Sequence, residues 1–316
     1  MSPKGHRVTD MIPNSIIGID LGGTEVKSVS VSYTKGETLH QETLPTLDGE
    51  FIGQEPAFVS QVAKLIATHE SKLGHAVSYI GLSAPGLATK SADAIAFMPG
   101  RMHGLEGLVW QEALQISHKV PVLNDAHAAL MGEIWLGAAR GLDDVVMYTL
   151  GTGVGGAIVS TGRLLTGRFG RAGHLGHTTI DFEGDPDLCN TPGSIEDAIG
   201  ELTLAKRCNG AFPNTEALVA AYAQGDATAR EVWLKSLRAL AASIVSLANA
   251  VDPEVVVLGG GMTAANEHLF DPLRELVSTR EWLPADARIE IRKAELGTWA
   301  GAYGAAYHAA QLSQNY

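Results

Sequence analysis

The chain has 316 residues, of which 45% are hydrophobic and 18% charged, and its formal net charge is −12. This composition is typical of a globular protein with a substantial core, and the length favours two domains over one. The acidic balance, without any run of Lys and Arg, excludes an extended nucleic-acid surface. An anionic ligand would therefore have to be held locally, by backbone amides or by a metal ion.

Two further features bear on the compartment. Cys189 and Cys208 are the only cysteines, which argues against a disulfide framework and favours a reducing compartment. Residues 1–15 lack the apolar core of a secretory signal, and no run of about 18 apolar residues follows them. We therefore expect a cytoplasmic protein that does not enter a membrane.

The first half of the chain alternates strands and helices. The predicted strands are residues 15–20, 26–31, 78–82 and 120–123, and the predicted helices are residues 57–72, 107–116 and 126–136. The first two strands are joined by a glycine turn, and the polar pair Asn124 and Asp125 stands between the last strand and the last helix. This alternation predicts an α/β fold, and a polar pair between strand and helix is typical of a binding site.

The second half begins like the first, with a strand, a glycine turn and another strand. The predicted strands are residues 145–150, 157–159 and 255–258, and the predicted helices are residues 233–251, a segment from about 264, and residues 300–312. Apolar residues recur at helical spacing along residues 233–251, which predicts a face turned to the core. The intervening residues 162–191 are rich in loop-forming residues.

Three glycine-rich turns are candidates for phosphate binding: residues 20–24, 151–156 and 259–261. Glycine allows the backbone to approach a ligand, and successive amides in such turns bind anions. The G-x-G-x-x-G spacing of the second turn leads into Ala-Ile-Val rather than a helix, so a dinucleotide site is excluded. No glycine directly precedes Lys27, which excludes a Walker A loop. Any one turn could be a plain hairpin, but two hairpins flanking the Asn-Asp strand favour a ligand.

With these motifs in place, the chain resembles the ROK family of sugar kinases, in the superfamily of hexokinase, actin and the Hsp70 ATPase. The resemblance spans residues 16–308 and rests on IGIDLGGTEVK, SAPG, VPVLNDAHAALMGE, TLGTGVGGAIV, GHLGHTTI, GSIE and DPEVVVLGGGM. It implies two ribonuclease H-like (actin-like ATPase) α/β domains, residues 1–125 plus 301–316 and residues 126–300, with the active site in the cleft between them. It also implies a last helix that packs on the N-terminal domain, and a homodimer.

The resemblance further implies an ATP-dependent kinase that phosphorylates a hydroxyl, in the leading hypothesis the 6-hydroxyl of a hexose or N-acetylhexosamine. Asp125 would be the general base and Asn124 a sugar ligand. Asp20 would hold Mg²⁺, through water. The implied ATP and phosphate ligands are Asp20, Gly22, Gly23, Thr24, Lys27, Gly151, Thr152, Gly153, Gly155, Gly259, Gly260 and Gly261.

Phosphoryl transfer requires chiefly positioning, charge neutralisation and a carboxylate that orients the attacking hydroxyl and accepts its proton. Asp125 stands at a strand end before a helix, where it could serve in this way or could merely cap the helix. Asp20 could likewise be an ordinary turn residue, but a triphosphate brings Mg²⁺, which needs carboxylate oxygens or water. The three phosphate turns in the same chain favour the functional interpretation of both residues.

The chain departs from the family pattern in a loop that usually binds structural zinc through one His and three Cys. His177, Cys189 and the sugar-binding Glu196 are kept, but Asp187 and Ser194 occupy the other two Cys positions. Because a closed zinc site needs four good ligands, we predict no structural zinc. Pro186, Pro192 and hydrogen bonds from Ser194 or Asn190 would stiffen the loop instead.

A second departure places His174 where the family has a sugar-binding Glu. A carboxylate only accepts hydrogen bonds, whereas a neutral imidazole donates from one nitrogen and accepts at the other. The preference around the anomeric or 2-position of the sugar is therefore expected to differ, unless His174 simply faces a loop. His177 and Glu196 would keep sugar-binding roles, and Arg101 and His103 are candidate contacts from residues 94–106.

Two other functions follow from the resemblance. Many members are transcriptional repressors with an added helix-turn-helix, but only about 15 residues precede the first strand, too few for that module. A sugar-sensing or regulatory protein without catalysis is the main alternative, because the zinc loop is altered. The intact Asn124–Asp125 pair and glycine turns favour the kinase.

Overall fold

The computed structural model describes residues 15–284 and 288–313. The strands are β1 (Ile16–Leu21), β2 (Glu25–Ser32), β3 (Glu37–Pro45), β4 (Phe51–Ile52), β5 (Glu55–Pro56), β6 (Ile80–Ala84), β7 (Leu87–Ala88), β8 (Ile95–Phe97), β9 (Val122–Asn124), β10 (Val145–Leu150), β11 (Val154–Ser160), β12 (Arg163–Leu164), β13 (Val255–Gly259) and β14 (Glu290–Lys293). The helices are α1 (Ala57–Leu73), α2 (Trp110–Ala113), α3 (Asp125–Leu136), α4 (Ile195–Ile199), α5 (Leu204–Arg207), α6 (Thr215–Ala223), α7 (Ala227–Val251), α8 (Glu267–Ser278) and α9 (Ala300–Ser313).

Two five-stranded sheets repeat one topology. The first has the order β3-β2-β1-β6-β9 and the second the order β12-β11-β10-β13-β14. In each, the first three strands pair antiparallel and the remaining pairs are parallel. The α/β class and the likeness of the two halves, both predicted from the sequence, are confirmed.

Each sheet has its own hydrophobic core on its outer face. The first core combines β1, β6 and β9 with α1, and the second combines β10, β11 and β13 with helices α4 to α8. On the inner faces, α9 packs on β1 and β6 of the first sheet, while α3 packs on β10 and β11 of the second. Because α3 follows the first sheet and α9 follows the second, the chain crosses twice between them. The predicted packing of the last helix is confirmed.

Glycines allow α3 and α9 to cross at close range. A Cβ at Gly304 of α9 would overlap the carbonyl oxygen of Ala128 in α3. A Cβ at Gly132 of α3 would meet the carbonyl of Ala300. Backbone-to-backbone contact of this kind leaves room only for a hydrogen atom in place of a side chain. Glycine is therefore required at both positions by the close approach of the helices, not by an unusual backbone conformation.

The structure differs from the sequence prediction in several places. The helix predicted over residues 107–116 is reduced to α2, because Gly104 and Gly107 adopt positive φ and residues 98–109 form turns. The helix predicted from residue 233 begins at Ala227, where Asp226 caps it by accepting a hydrogen bond from the Ala229 amide. The outer strands β3 and β14 were not predicted, since both are half exposed and carry charged side chains.

One described helix, α7, is long and apolar enough by length and composition to cross a membrane. Its apolar face, including Trp233, Leu237 and Leu240, is buried in the core of the second sheet, as in a core helix of a globular domain. The prediction that no signal segment is present falls on residues 1–14, outside the described residues. The domain boundaries after residues 125 and 300 stay a prediction. Both cysteines are free.

Candidate active site

The pair Asn124 and Asp125 joins β9 to α3. The Asn124 side-chain oxygen accepts hydrogen bonds from the amides of Ala126 (3.0 Å) and His127 (3.3 Å), and its Nδ2 donates to the Gly86 carbonyl (2.9 Å). Asn124 is therefore the N-cap, so the capping role that could explain Asp125 belongs to its neighbour. The Asp125 carboxylate accepts from the Ala126 amide at 2.8 Å and remains open to solvent.

Asp20 lies at the end of β1, on the same edge as Asp125. Its partner across the parallel β1–β6 pair is Ser83, whose hydroxyl donates to Asp20 Oδ1 at 2.8 Å. The pKa of Asp20 is raised to about 6, chiefly by burial and in part by the nearby Asp125 charge, against the opposing effects of Ser83 and Lys27. The pKa of Asp125 is raised as well, because surrounding protein atoms partly desolvate the carboxylate although the residue stays accessible. The two carboxylates thus lie at the ends of β1 and β9, on either side of β6, and close enough for the charge of one to affect the other.

The turn between β10 and β11 adjoins both Asp125 and Glu196. The Val154 amide donates to Glu196 Oε2 at 2.9 Å, and a Cβ at Gly153 would overlap that oxygen. A Cβ at Gly155 would lie 3.2 Å from the Ala126 side chain, at the start of α3. The second predicted phosphate turn, which also contains Gly151 and Thr152, therefore lies beside the Asp125 end of the site.

The third turn lies next to the second because β10 and β13 are parallel neighbours. Thr149 pairs with Gly259, and a Cβ at Gly260 would overlap the carbonyl oxygen of Leu150. Gly260 has a φ of 85°, which also favours glycine, and Gly261 begins a short 3₁₀ turn.

In the first turn, Gly23 and Thr24 are exposed and Gly22 is half-buried. Lys27 pairs with Asp20 across the β1–β2 hairpin and lies 3.6 Å from the Glu25 carboxylate.

His174 packs against His127 of α3, with ring centroids 5.4 Å apart. His127 Nε2 lies 2.9 Å from the Ala172 carbonyl, whereas His174 Nε2 is buried without a partner in the described structure. Burial lowers the pKa of both imidazoles, and that of His127 falls to about 4. Both rings are therefore neutral at pH 7, and His174 does not merely face a loop. A neutral, unsatisfied imidazole nitrogen is suited to a polar ligand.

The altered zinc loop is organised around the Asp187 carboxylate. Its Oδ2 lies 2.8 Å from His177 Nδ1, and its Oδ1 accepts from the amides of Cys189 (2.8 Å) and Thr191 (2.9 Å). Cys189 Sγ lies 3.5 Å from His177 Nε2. The donor atoms of His177, Asp187 and Cys189 lie within 4.8 Å of one another, so the loop gathers three potential ligands.

Ser194 is used elsewhere in this loop, as the N-cap of α4, and Pro186 forms a β-bridge with Pro192. Hydrogen bonds centred on Asp187 and the bridge between the two prolines thus organise the loop, while its stiffening by Ser194 or Asn190 stays a prediction. The absence of structural zinc stays a prediction.

Two residues had no firm role from the sequence. Ser83 belongs to the SAPG motif, and its parallel register with Asp20 could have indicated the contact. Arg101 was only a candidate sugar contact, but its positive charge is close enough to lower the pKa of Asp125 against the effect of burial. The turn that carries Arg101 has no regular periodicity, so its position depended on the fold.

The comparisons with known proteins agree on one family. The model of the ROK family matches residues 16–312. A glucokinase of Thermotoga maritima is 34% identical over 282 residues, covering 83% of this chain and 86% of that protein. An N-acetylmannosamine kinase of Yersinia pestis is 29% identical over 294 residues, covering 92% and 96%.

Solved structures of similar size share the fold. A ROK hexokinase from Thermus thermophilus superimposes with a TM-score of 0.81 at 29% identity, covering 96% of this chain and 100% of that one. A ROK family glucokinase from Streptomyces griseus, in complex with glucose and AMPPNP, gives a TM-score of 0.73 at 28% identity, covering 94% and 99%.

Proposed function

The chain belongs to the ROK family, and from this premise we propose that it is an ATP-dependent sugar kinase. The accepting group is a hydroxyl, in the finer form of the proposal O6 of a hexose or N-acetylhexosamine. Relatives named as glucokinases and as an N-acetylmannosamine kinase support both sugar classes, and the neighbour with glucose and AMPPNP supports the use of ATP.

The observation that carries the proposal is the state of Asp125. Asn124 caps α3, so Asp125 is not needed for capping, and its carboxylate is solvent-accessible beside Asp20. A carboxylate with a raised pKa at this position is well suited to accept a proton near neutral pH.

In the proposed mechanism, Asp125 orients the sugar hydroxyl and takes its proton as the phosphoryl group is transferred. Asp20 fits Mg²⁺ because it offers carboxylate oxygen at the site, and it would hold the ion, through water, to neutralise the phosphate charge. The amides of the turns at residues 151–156 and 259–261 hold the nucleotide. Asn124 uses its remaining amide hydrogen on the sugar, and Glu196 and His177 bind further hydroxyls.

His174 supports the inclusion of N-acetylhexosamines. Its ring donates a hydrogen bond to the Gly170 carbonyl through the other nitrogen, so the buried, unpartnered Nε2 of the neutral imidazole is left to accept from a donor such as an acetamido N–H. A Glu at this position would add a negative charge and accept from sugar hydroxyls. Replacing His174 by Glu should therefore shift the ranking of kcat/KM from N-acetylhexosamines toward hexoses, and an unchanged ranking would contradict this role.

The test of the proposed function is a coupled ADP-release screen over hexoses, amino sugars and their N-acetyl forms. We expect at least one sugar to be phosphorylated by the wild type and Asp125→Asn to lose about 10²–10⁴-fold in kcat, the usual contribution of a general base. Asp271→Asn, at an exposed position on α8, is the matched control and should retain full activity. Wild-type rates no higher than those of Asp125→Asn for every sugar would refute the kinase.

A sugar-sensing protein without catalysis is the alternative, motivated by the altered zinc loop. It predicts sugar binding by calorimetry together with no ADP release in the same screen. We also propose that the protein is a cytoplasmic homodimer. Sedimentation of the purified chain at micromolar concentration would test the dimer, and a monomer would refute it.

A further inference from the structure

A cavity of about 840 Å³ lies between the two sheets. One wall is the β7–β8 hairpin at residues 88–92, with Lys119 beside it. The facing wall is formed from residues 162–170, after β11, and the floor comes from α3 and α9. Cavities of this size commonly hold small molecules.

This cavity is separate from the proposed sugar and ATP sites. Its lining includes none of Asp20, Asn124, Asp125, His174 or Glu196. His127 stands between the two sites, because its ring lines the cavity and also packs against His174. A ligand in the cavity would therefore be separated from His174, the proposed specificity residue, only by the ring of His127. It would not touch the reacting atoms.

The cavity is cationic in an acidic protein. Lys90, Lys119 and Arg163 line it from both walls, and among the described residues no Asp or Glu does so. Lys119 donates to the Ser91 carbonyl, and the nearest hairpin carboxylate, Asp93, accepts from the hydroxyls of Thr89 and Ser91. With a net charge of −12 over the whole chain, a positive concavity concentrates anions that the rest of the surface repels.

The floor contains an unsatisfied polar atom. His308 of α9 lines the cavity, and its Nε2 is buried without a hydrogen-bond partner in the described structure. Buried polar atoms without a partner are rare in proteins and point to a missing ligand or water. Lys119 lies near enough to help lower the pKa of His308, so the neutral imidazole and the cation face the same space.

We propose that this cavity binds a small metabolite bearing a phosphate monoester. Lysines bind phosphate as point charges and Arg adds a planar fork, while the Thr166 hydroxyl supplies a further donor. The apolar lining residues Val122, Met131 and Leu164 take the uncharged body of the ligand. Since the cations come from facing walls, the bound ligand ties the two sheets together.

Calorimetric titration tests phosphate-monoester binding with two probes, a hexose 6-phosphate and AMP. The two probes distinguish a sugar phosphate from a nucleotide as the ligand. The proposed catalytic site is first saturated with sugar and a non-hydrolysable ATP analogue. We expect at least one probe still to bind, and Lys119→Gln/Arg163→Gln to weaken it about tenfold or more. The control Lys235→Gln/Arg238→Gln, with the same charge loss on exposed positions of α7, should bind like wild type.

Three results would overturn the proposal: no binding of either probe at millimolar concentration, equal affinity for all three proteins, or complete loss of binding when the catalytic site is saturated. Both double variants should have the same melting temperature as the wild type, because the side chains they change are exposed. Thermal unfolding checks that they are folded. No turnover is measured, so failure here leaves the kinase proposal untouched and failure of the kinase leaves this site intact. Lys90→Glu changes another exposed residue of the cavity lining and should weaken binding of the same probe.

Discussion

At the scale of single residues, the site depends on two carboxylates whose proton affinities are raised. Burial and the charge of Asp125 put the pKa of Asp20 at about 6, while Ser83 opposes the shift by donating to Oδ1. Strongly perturbed groups that share one polar edge are typical of functional sites. Because Mg²⁺ binding and proton abstraction both need ionised carboxylates, the acid limb of activity should report these groups.

We therefore predict that kcat/KM falls as the pH drops through about 6, where Asp20 takes up a proton. Higher Mg²⁺ should move the midpoint to lower pH, because the metal competes with the proton. Ser83→Ala should move it to higher pH, because the hydrogen bond that favours the ionised form is lost. A pH–rate profile at two Mg²⁺ concentrations checks both shifts, and a midpoint insensitive to both changes would show that Asp20 does not control it.

The same pKa shift predicts a stability cost at Asp20. Above pH 6 the carboxyl is ionised in both states, and its burial destabilises the folded state by about 3 kcal/mol at most, at 1.36 kcal/mol per pKa unit. Asp20→Asn should therefore raise the free energy of unfolding at pH 7.5. The gain should shrink as the pH falls from 6 toward 4, because the folded-state carboxyl takes up a proton, and it should vanish only below the unfolded pKa of 3.8, where the group is neutral in both states. Urea denaturation at both ends of this range measures it, and a variant less stable at pH 7.5 would contradict it.

The residues that could be predicted from sequence were those embedded in ordered motifs. Asp20 and Asn124 lie near the ends of β1 and β9, and Asp125 begins α3. Because both strands pair with β6, the three residues come to one edge of the sheet. The division of labour between Asn124 and Asp125 could not be predicted, because either residue type caps helices and only coordinates show which side chain reaches the amides. The role of Arg101 depended on an irregular turn for the same reason.

At the scale of elements, the crossing of α3 and α9 sets the geometry of the site. A Cβ at Gly301 would crowd the Asp20 carboxylate, so the start of α9 lies against the metal-binding candidate. Glu133 of α3 is fully buried and accepts hydrogen bonds from the amides of Ala138, Glu295 and Leu296, which fixes the segment leading into α9. Periodicity predicted both helices, but it could not show that they pack against each other.

We expect Gly304→Ala to destabilise the protein by about 1–3 kcal/mol, the usual cost of overpacking, since its Cβ would overlap the Ala128 carbonyl. The matched control is Gly23→Ala, because a Cβ there meets nothing within 4 Å and the site is exposed. Denaturant unfolding of the two variants gives the comparison. Equal stability would mean that the helices separate without cost.

The loop around Asp187 yields a prediction about metal. His177, the backbone amides and Asp187 already satisfy one another, and Ser194 is occupied as a helix cap, so a fourth zinc ligand is missing. We expect protein purified without added zinc to contain far less than one zinc per chain, and its melting temperature to be unchanged by EDTA. Atomic absorption on the purified protein measures the content. One zinc per chain would show that the three gathered donors suffice.

At the scale of the whole molecule, the residues proposed to bind metal and nucleotide belong to two sheets, each with its own core. Asp20 belongs to the first sheet, while the turns at residues 151–156 and 259–261 belong to the second. The repeat could be recognised from the sequence because both halves open with a strand, a glycine turn and a strand. The pairing of the sheets through α3 and α9 could not, because it depends on glycines whose steric role appears only in three dimensions.

Because substrates would touch both cores at once, we predict that sugar and a non-hydrolysable ATP analogue together draw the sheets closer, hinging on the α3–α9 contact. Small-angle X-ray scattering should show a smaller radius of gyration with both ligands than with neither. Asp125→Asn should close in the same way, since it loses proton transfer but keeps the surfaces that the ligands contact. Closure excludes water from the transferring phosphoryl group, which limits wasteful ATP hydrolysis. If the radius stays constant while calorimetry shows both ligands bound, the two sheets form a rigid frame, and water must be excluded by the loops alone.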